Sequence, residues 1–90
     1  MEEKDRRYKT VNRLIKGGHL DTFKEIFDTL PKSVMAGDLG KHNVAFTRLI
    51  NNTQLLRVLD ISKIAALLDI EERVLLDLIL KQQKGDRKDR

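Results

Sequence analysis

Cations, amides and hydroxyls gather in one stretch of the chain, Lys32 to Arg57, KSVMAGDLGKHNVAFTRLINNTQLLR. These side chains donate hydrogen bonds and neutralise anions, and none has the company needed to break a bond. Residues 31–57 set Lys32, Lys41, Arg48 and Arg57 against Asp38, a net +3, whereas residues 58–80 are net −3. Such a split can turn one face toward a polyanion. Ordinary surface charge accounts for it as well.

Catalytic and metal chemistry find little support. His19 and His42 lack a neighbouring carboxylate at ligand spacing, and there is no His-x-x-x-His pair; both read as surface or capping residues. The absence of cysteine excludes disulfides and thiolate metal sites. Gly17-Gly18 is too short for a phosphate loop. Glu71 and Glu72 fall in a helix's first turn, where carboxylates favour the dipole. Ser33, Ser62 and the threonines have no evident base. The expectation is a chain without cofactor, metal or enzymatic activity.

The elements that must position the polar stretch follow from hydrophobic spacing. Ninety residues make one domain with a modest core. Leu, Ile and charged residues dominate, aromatics are 4%, and no alternating β pattern occurs, so an all-α fold is expected. No apolar run approaches the roughly 20 residues that span a bilayer. The start, MEEKDRRYK, lacks the apolar centre of a signal peptide. A cytoplasmic protein with no membrane association is the expectation.

Tyr8, Val11, Leu14 and Ile15 place a helix over 3–16, ended by Gly17-Gly18. Thr22 and Glu25 are spaced as a capping box, with Asp21 as the alternative cap, for a short helix to Leu30. Pro31 suits the first turn of the next helix. That helix holds Val34, Met35, Ala36 and Leu39 and stops at Gly40. Another starts near Asn43, holds Ala45, Phe46, Leu49 and Ile50, and breaks at Asn51-Asn52-Thr53. Residues 54–59 are ambiguous. Asp60 predicts a cap for a helix over 61–68. Asp69 and Glu72 resemble a capping box for a last helix with Val74, Leu75, Leu78 and Ile79 buried. The plan is an N-terminal amphipathic helix (1–16), a domain over 20–82 and a disordered basic tail over 83–90.

At the centre stand a helix, a turn and a helix. Ala36 is small where two crossed backbones approach, and four residues on Gly40 supplies a reversal through φ > 0. Leu39 plugs the crossing; Phe46 and Leu49 anchor the second helix. This is the sequence shape of a helix-turn-helix, which lays a helix in the DNA major groove. Read position by position, small–x–x–apolar–Gly and then apolar–x–x–apolar resembles the phage repressor and Cro families, the Xre-like group. IAALLDIEERVLLDL (64–78) is similar to that group's later helices. The resemblance covers about residues 20–80. Lys32-Ser33 stands where the group often has Gln, Gly37 lies inside the first helix, and NNTQLLRV replaces a Gly- and Pro-bearing loop.

The resemblance implies a lambda-repressor-like bundle of about five helices with an added N-terminal helix. It implies a small prokaryotic or phage-type transcriptional regulator that binds double-stranded DNA sequence-specifically and acts by operator occupancy. The second motif helix would be the recognition helix, with His42, Asn43, Val44, Thr47 and Arg48 outward. Arg48 would pair with guanine O6 and N7, Asn43 would read adenine or hold a phosphate, and Val44 and the Thr47 methyl would touch a thymine methyl. Lys41 and His42 would meet phosphate at the turn. Lys32, Ser33 and the first N–H groups of the preceding helix would hold another. Asn51, Asn52, Gln54 and Arg57 would reach the backbone from the following loop. Plainer roles compete: Val44 as core, Asn51 and Asn52 as helix stops, Arg57 as a partner of Asp60. The group acts as symmetric dimers, so the Tyr8–Ile15 stripe or the last helix is a candidate homodimer surface, unless the stripe packs on its own core. The rival is a protein-interaction module on the same scaffold, for example an antitoxin-type partner protein.

Overall fold

A computed structural model describes residues 4–88, and there the first helix begins where Asp5 can cap it. The Asp5 carboxylate accepts the Arg7 backbone N–H at 2.9 Å and holds the Arg7 guanidinium through Nε at 2.8 Å and Nη2 at 2.7 Å. The guanidinium first, and then the N–H, keep the Asp5 carboxyl at about 2, below its ordinary range. Helix α1 is therefore Arg7–Lys16, with residues 4–6 ahead of it; position 3 of the expected helix lies outside the described residues. A 3-10 helix Lys24–Asp28 follows, then α2 (Lys32–Leu39), α3 (Asn43–Asn51), a second 3-10 helix (Thr53–Leu55), α4 (Val58–Leu68) and α5 (Glu72–Lys88). All regular structure among the described residues is helical, and no helix there is long and apolar enough to cross a membrane.

Three helices end in the same way. At α1 the His19 N–H returns to Leu14 O (2.8 Å) and Gly18 to Ile15 O (3.1 Å), with Gly18 at φ +74°. At α2 Lys41 returns to Ala36 O (2.8 Å) and Gly40 to Gly37 O (3.1 Å), with Gly40 at φ +70°. At α4 Ile70 returns to Ala65 O (3.0 Å) and Asp69 to Ala66 O (3.2 Å). These paired bonds satisfy carbonyls that a helix end otherwise orphans. Asp69, at φ 56°, occupies the left-handed position that glycine fills elsewhere. It thus closes α4 and is not the cap of α5, whose first turn bonds to the Glu71 carbonyl.

Other helix starts also differ from the sequence pattern. Glu25 gathers the N–H groups of Asp21 (3.1 Å) and Thr22 (2.9 Å) and the Thr22 hydroxyl (3.0 Å), yet the turn it begins is 3-10. Helix α4 starts at Val58, three positions before the expected 61. Arg57 is its N-cap, and Asp60 accepts the Arg57 N–H from inside the first turn at 3.1 Å. Helix α5 continues past Gln83, where a disordered tail is expected, to Lys88; positions 89–90 of that tail lie outside the described residues.

The core joins every helix. Val11, Phe23, Ile26, Leu30, Met35, Phe46, Ile64, Leu68 and Leu75 are fully buried, while Leu49 is only partly covered. Phe27 meets Phe23 and Phe46 edge-on, with centroids 5.4 and 5.5 Å apart, a favoured quadrupole arrangement. Helix α1 belongs to this body. Tyr8 is buried and donates its hydroxyl to Asp38 of α2 at 2.6 Å. Burial, and then that carboxylate, push the Tyr8 hydroxyl far above its ordinary range, so it stays a donor. Asn12 Nδ2 donates to the Leu68 and Asp69 carbonyls at 2.7 and 3.0 Å, and Lys4 Nζ to Leu67 O at 3.2 Å. The Tyr8–Val11 part of the stripe is consumed inside the molecule and is not a dimer surface.

Gly37 within α2 and Gly40 just past its end should respond with opposite sign. At Gly37, inside the helix, an added Cβ meets nothing within 4 Å, so Gly37→Ala should stabilise by about 1 kcal/mol. At Gly40 the left-handed backbone opposes any side chain, so Gly40→Ala should cost about 1–2 kcal/mol. Urea unfolding of both variants checks the pair; equal signs would contradict the assignment of the turn.

Candidate functional site

The polar stretch falls on two faces that the core defines. Phe46 and Ile50 bury one side of α3. The opposite side, at helical spacing, is Val44, Arg48 and Asn51, all exposed. His42 and Asn43 at the start of α3 are exposed too, and Thr47 is half-exposed. Val44, at 84% exposure, is no core residue. The Thr47 hydroxyl donates back to the Asn43 carbonyl at 2.8 Å.

Beside α3 runs a shallow groove of about 650 Å³. Lys32 and Ser33 line it from the start of α2; Asn43, Thr47 and Asn51 line it from α3. No side chain caps the start of α2, so its first N–H groups are left to solvent or to an anion. Lys24, Phe27 and Asp28 of the first 3-10 helix complete the wall. Lys24 escapes the sequence reading because it is the one cation in an otherwise acidic segment, residues 17–30. Among the described residues no carboxylate lies within ion-pair distance of Lys24, Lys32, Arg48 or Arg57.

Other expected site residues are employed differently. Lys41 forms an ion pair with Asp60 at 3.3 Å, both largely covered, which ties the turn to α4 and draws the ammonium away from a phosphate. Asn52 is the stop after α3: its N–H and its Nδ2 both donate to the Arg48 carbonyl, at 2.9 and 3.0 Å. Arg57 meets Asp60 through its backbone N–H, not its guanidinium. Gln54 and Arg57 are exposed on the segment after α3, outside the groove lining. On the same segment Leu55, Val58 and Leu59 are exposed at 49%, 82% and 62%.

The residue that binds the groove's two walls together is Gln82. It is buried at 4% exposure. Its Oε1 accepts the Lys24 N–H at 2.7 Å, and its Nε2 donates to the Ile50 carbonyl at 2.8 Å. The signal was present in the register: Leu75, Leu78, Ile79 and residue 82 follow the i, i+3, i+4, i+7 spacing of a buried stripe. Next to it, Gln83 Nε2 donates to Thr53 Oγ1 at 3.0 Å.

No protein-family model, curated protein or solved structure matches the chain.

Replacing Gln82 by leucine keeps the volume and strands the Lys24 N–H and the Ile50 carbonyl. Gln82→Leu should cost about 1–3 kcal/mol in urea unfolding, and exchange of the Lys24 amide hydrogen should accelerate. An unchanged Lys24 amide would mean that the two walls are held by something else.

Proposed function

We propose that α2 and α3 form a helix-turn-helix and that the chain binds double-stranded DNA sequence-specifically, as a small transcriptional regulator that acts by occupying its operator. The observation that carries this is the outer face of α3. Asn43, Val44, Arg48 and Asn51 are in water, on a helix whose opposite face is locked into the core and whose N-terminus follows a tight left-handed turn.

With α3 in the major groove, Arg48 offers the paired donors that match guanine O6 and N7, and Asn43 the donor and acceptor that match adenine N6 and N7. Lys24, Lys32, Ser33 and the uncapped start of α2 suit a phosphate on the adjoining strand. His42 and Asn51 flank the reading face, and Gln54 and Arg57 continue toward the next phosphates. Lys41, committed to Asp60, braces the turn. The second reading, a protein-interaction module, draws on one observation: Leu55, Val58 and Leu59 form a run of exposed apolar residues of the kind that marks partner surfaces.

Titration against random and selected duplexes at several salt concentrations separates the two. A DNA binder should show log K falling with log salt by about 0.9 per phosphate contact. No affinity even at low salt would favour the interaction module. On the preferred duplex, Arg48→Ala should cost about 1–3 kcal/mol and relax the preference at one base pair. Lys32→Ala should weaken all sequences about equally. Parent-like binding by both variants would show that the docking face has been misplaced.

A further inference from the structure

We infer that the exposed run Leu55, Val58 and Leu59 docks a short segment of another protein that sets carboxylates beside apolar side chains, an inference that rests on reading this run as a partner surface and holds whether or not α3 binds DNA. Residues 55–59 read Leu-Leu-Arg-Val-Leu. Leu56 packs against the core, and the other three apolar side chains stay in water. The local structure does not need them there. Asp60 and the Arg57 N–H start α4, Leu56 and Ile61 tie the segment to the core, and a β-branched Val58 in the first turn adds nothing to helix formation.

The charges around the run have one sign. From Leu39 to Leu68 the sequence has one carboxylate, Asp60. It is largely covered, paired with Lys41 and bonded to the Arg57 N–H. Arg57 lies within the run, and Lys63 lies one turn on from Leu59. Both are exposed and, among the described residues, without an ion-pair partner. The result is an apolar strip with a cationic border. The other exposed apolar pair, Leu76 and Leu80 of α5, sits beside the Asp77–Lys81 ion pair and shows no such bias.

A second copy of the chain fits the strip less well. A two-fold contact presents the same patch from both sides, so Arg57 and Lys63 would meet a border of their own sign, at a cost. Three side chains also fall far short of the roughly 800 Å² that each partner gives a stable protein–protein interface. A phosphate backbone supplies the charge but leaves Val58 and Leu59 without a partner. A short acidic and apolar segment matches both the sign and the size.

The experiment uses the full chain and a displayed library of random short peptides. Selected peptides should combine Asp or Glu with Leu, Ile, Phe or Trp, and their affinity should fall as salt rises. Val58→Ser and Leu59→Ser, neutral changes at exposed positions, should each weaken the best peptide about tenfold, the worth of one buried apolar side chain. Leu80→Ser should leave it unchanged. Arg57→Glu should lose the peptide, and a peptide with its carboxylates changed to lysine should bind that variant better than the parent chain. Selected peptides that are neutral or basic, yet sensitive at Val58, overturn the acidic chemistry and leave the partner surface standing. Peptides indifferent to both serine variants, or no selected peptide at all, overturn the surface itself. A dimer in sedimentation that Val58→Ser dissociates overturns the choice of partner in favour of a second copy.

Discussion

The left-handed turn at Gly40 is the constraint on which the rest depends. Two backbone bonds, Lys41 to Ala36 and Gly40 to Gly37, fold the chain back before α3 begins. With so short a connection, α3 has little freedom of direction relative to α2. The Lys41–Asp60 pair then fixes the turn to α4, and burial of Phe46 and Ile50 sets the rotation of α3 about its own axis. Direction and rotation together decide which side chains face water. The reading face proposed for α3 is therefore what remains after the core has taken its share.

Polar side chains complete what packing begins. Helix ends leave backbone groups without partners, and here those groups meet side chains from other helices. Asn12 serves the end of α4, Gln82 the end of α3 and the start of the first 3-10 helix, and Asp38 takes the Tyr8 hydroxyl. No buried polar side-chain atom among the described residues lacks a partner. Such satisfied bonds contribute modestly each, but stranding one partner costs far more than the bond gains. They therefore specify register: a helix slipped by one residue would lose them all at once.

Much of this was legible in the sequence, and what was hidden had a physical reason. Helix ends at Gly17-Gly18 and Gly40 were visible because glycine alone enters left-handed backbone without strain. The buried stripes were visible because 3.6-residue periodicity is a local property. Helix starts were harder. Asp5, Asp60 and Asp69 are chemically alike, yet one caps a helix, one accepts a hydrogen bond from within the first turn, and one closes a helix at φ 56°. Nothing within a few residues distinguishes these uses. Lys41 was assigned outward because its partner, Asp60, is near only in the fold. Gln82 lay in the apolar register all along, but a polar residue there declares its role only when the orphaned groups opposite it are known. Whether Asn43, Val44 and Arg48 touch a base is a property of a complex, and neither periodicity nor burial contains it.

The contact between Asn12 and the end of α4 has a consequence for how the chain assembles. Helix α2 packs on α3, and α4 on α5, so most pairs can form between neighbours along the chain. Helix α1 and the first 3-10 helix are different: the carbonyl that Asn12 meets on Leu68 lies 56 residues away, and the Gln82 side chain that accepts the Lys24 N–H lies 58 away. Bringing such distant segments together confines the intervening chain, and nothing rewards that confinement until the target exists. Local pairs should therefore form early, on roughly the microsecond-to-millisecond scale of helical bundles, with the segment from α1 through the first 3-10 helix docking last. The amino-terminal segment is then the latch of the folding reaction, closing against α4 and α5 only when the remainder has found its shape.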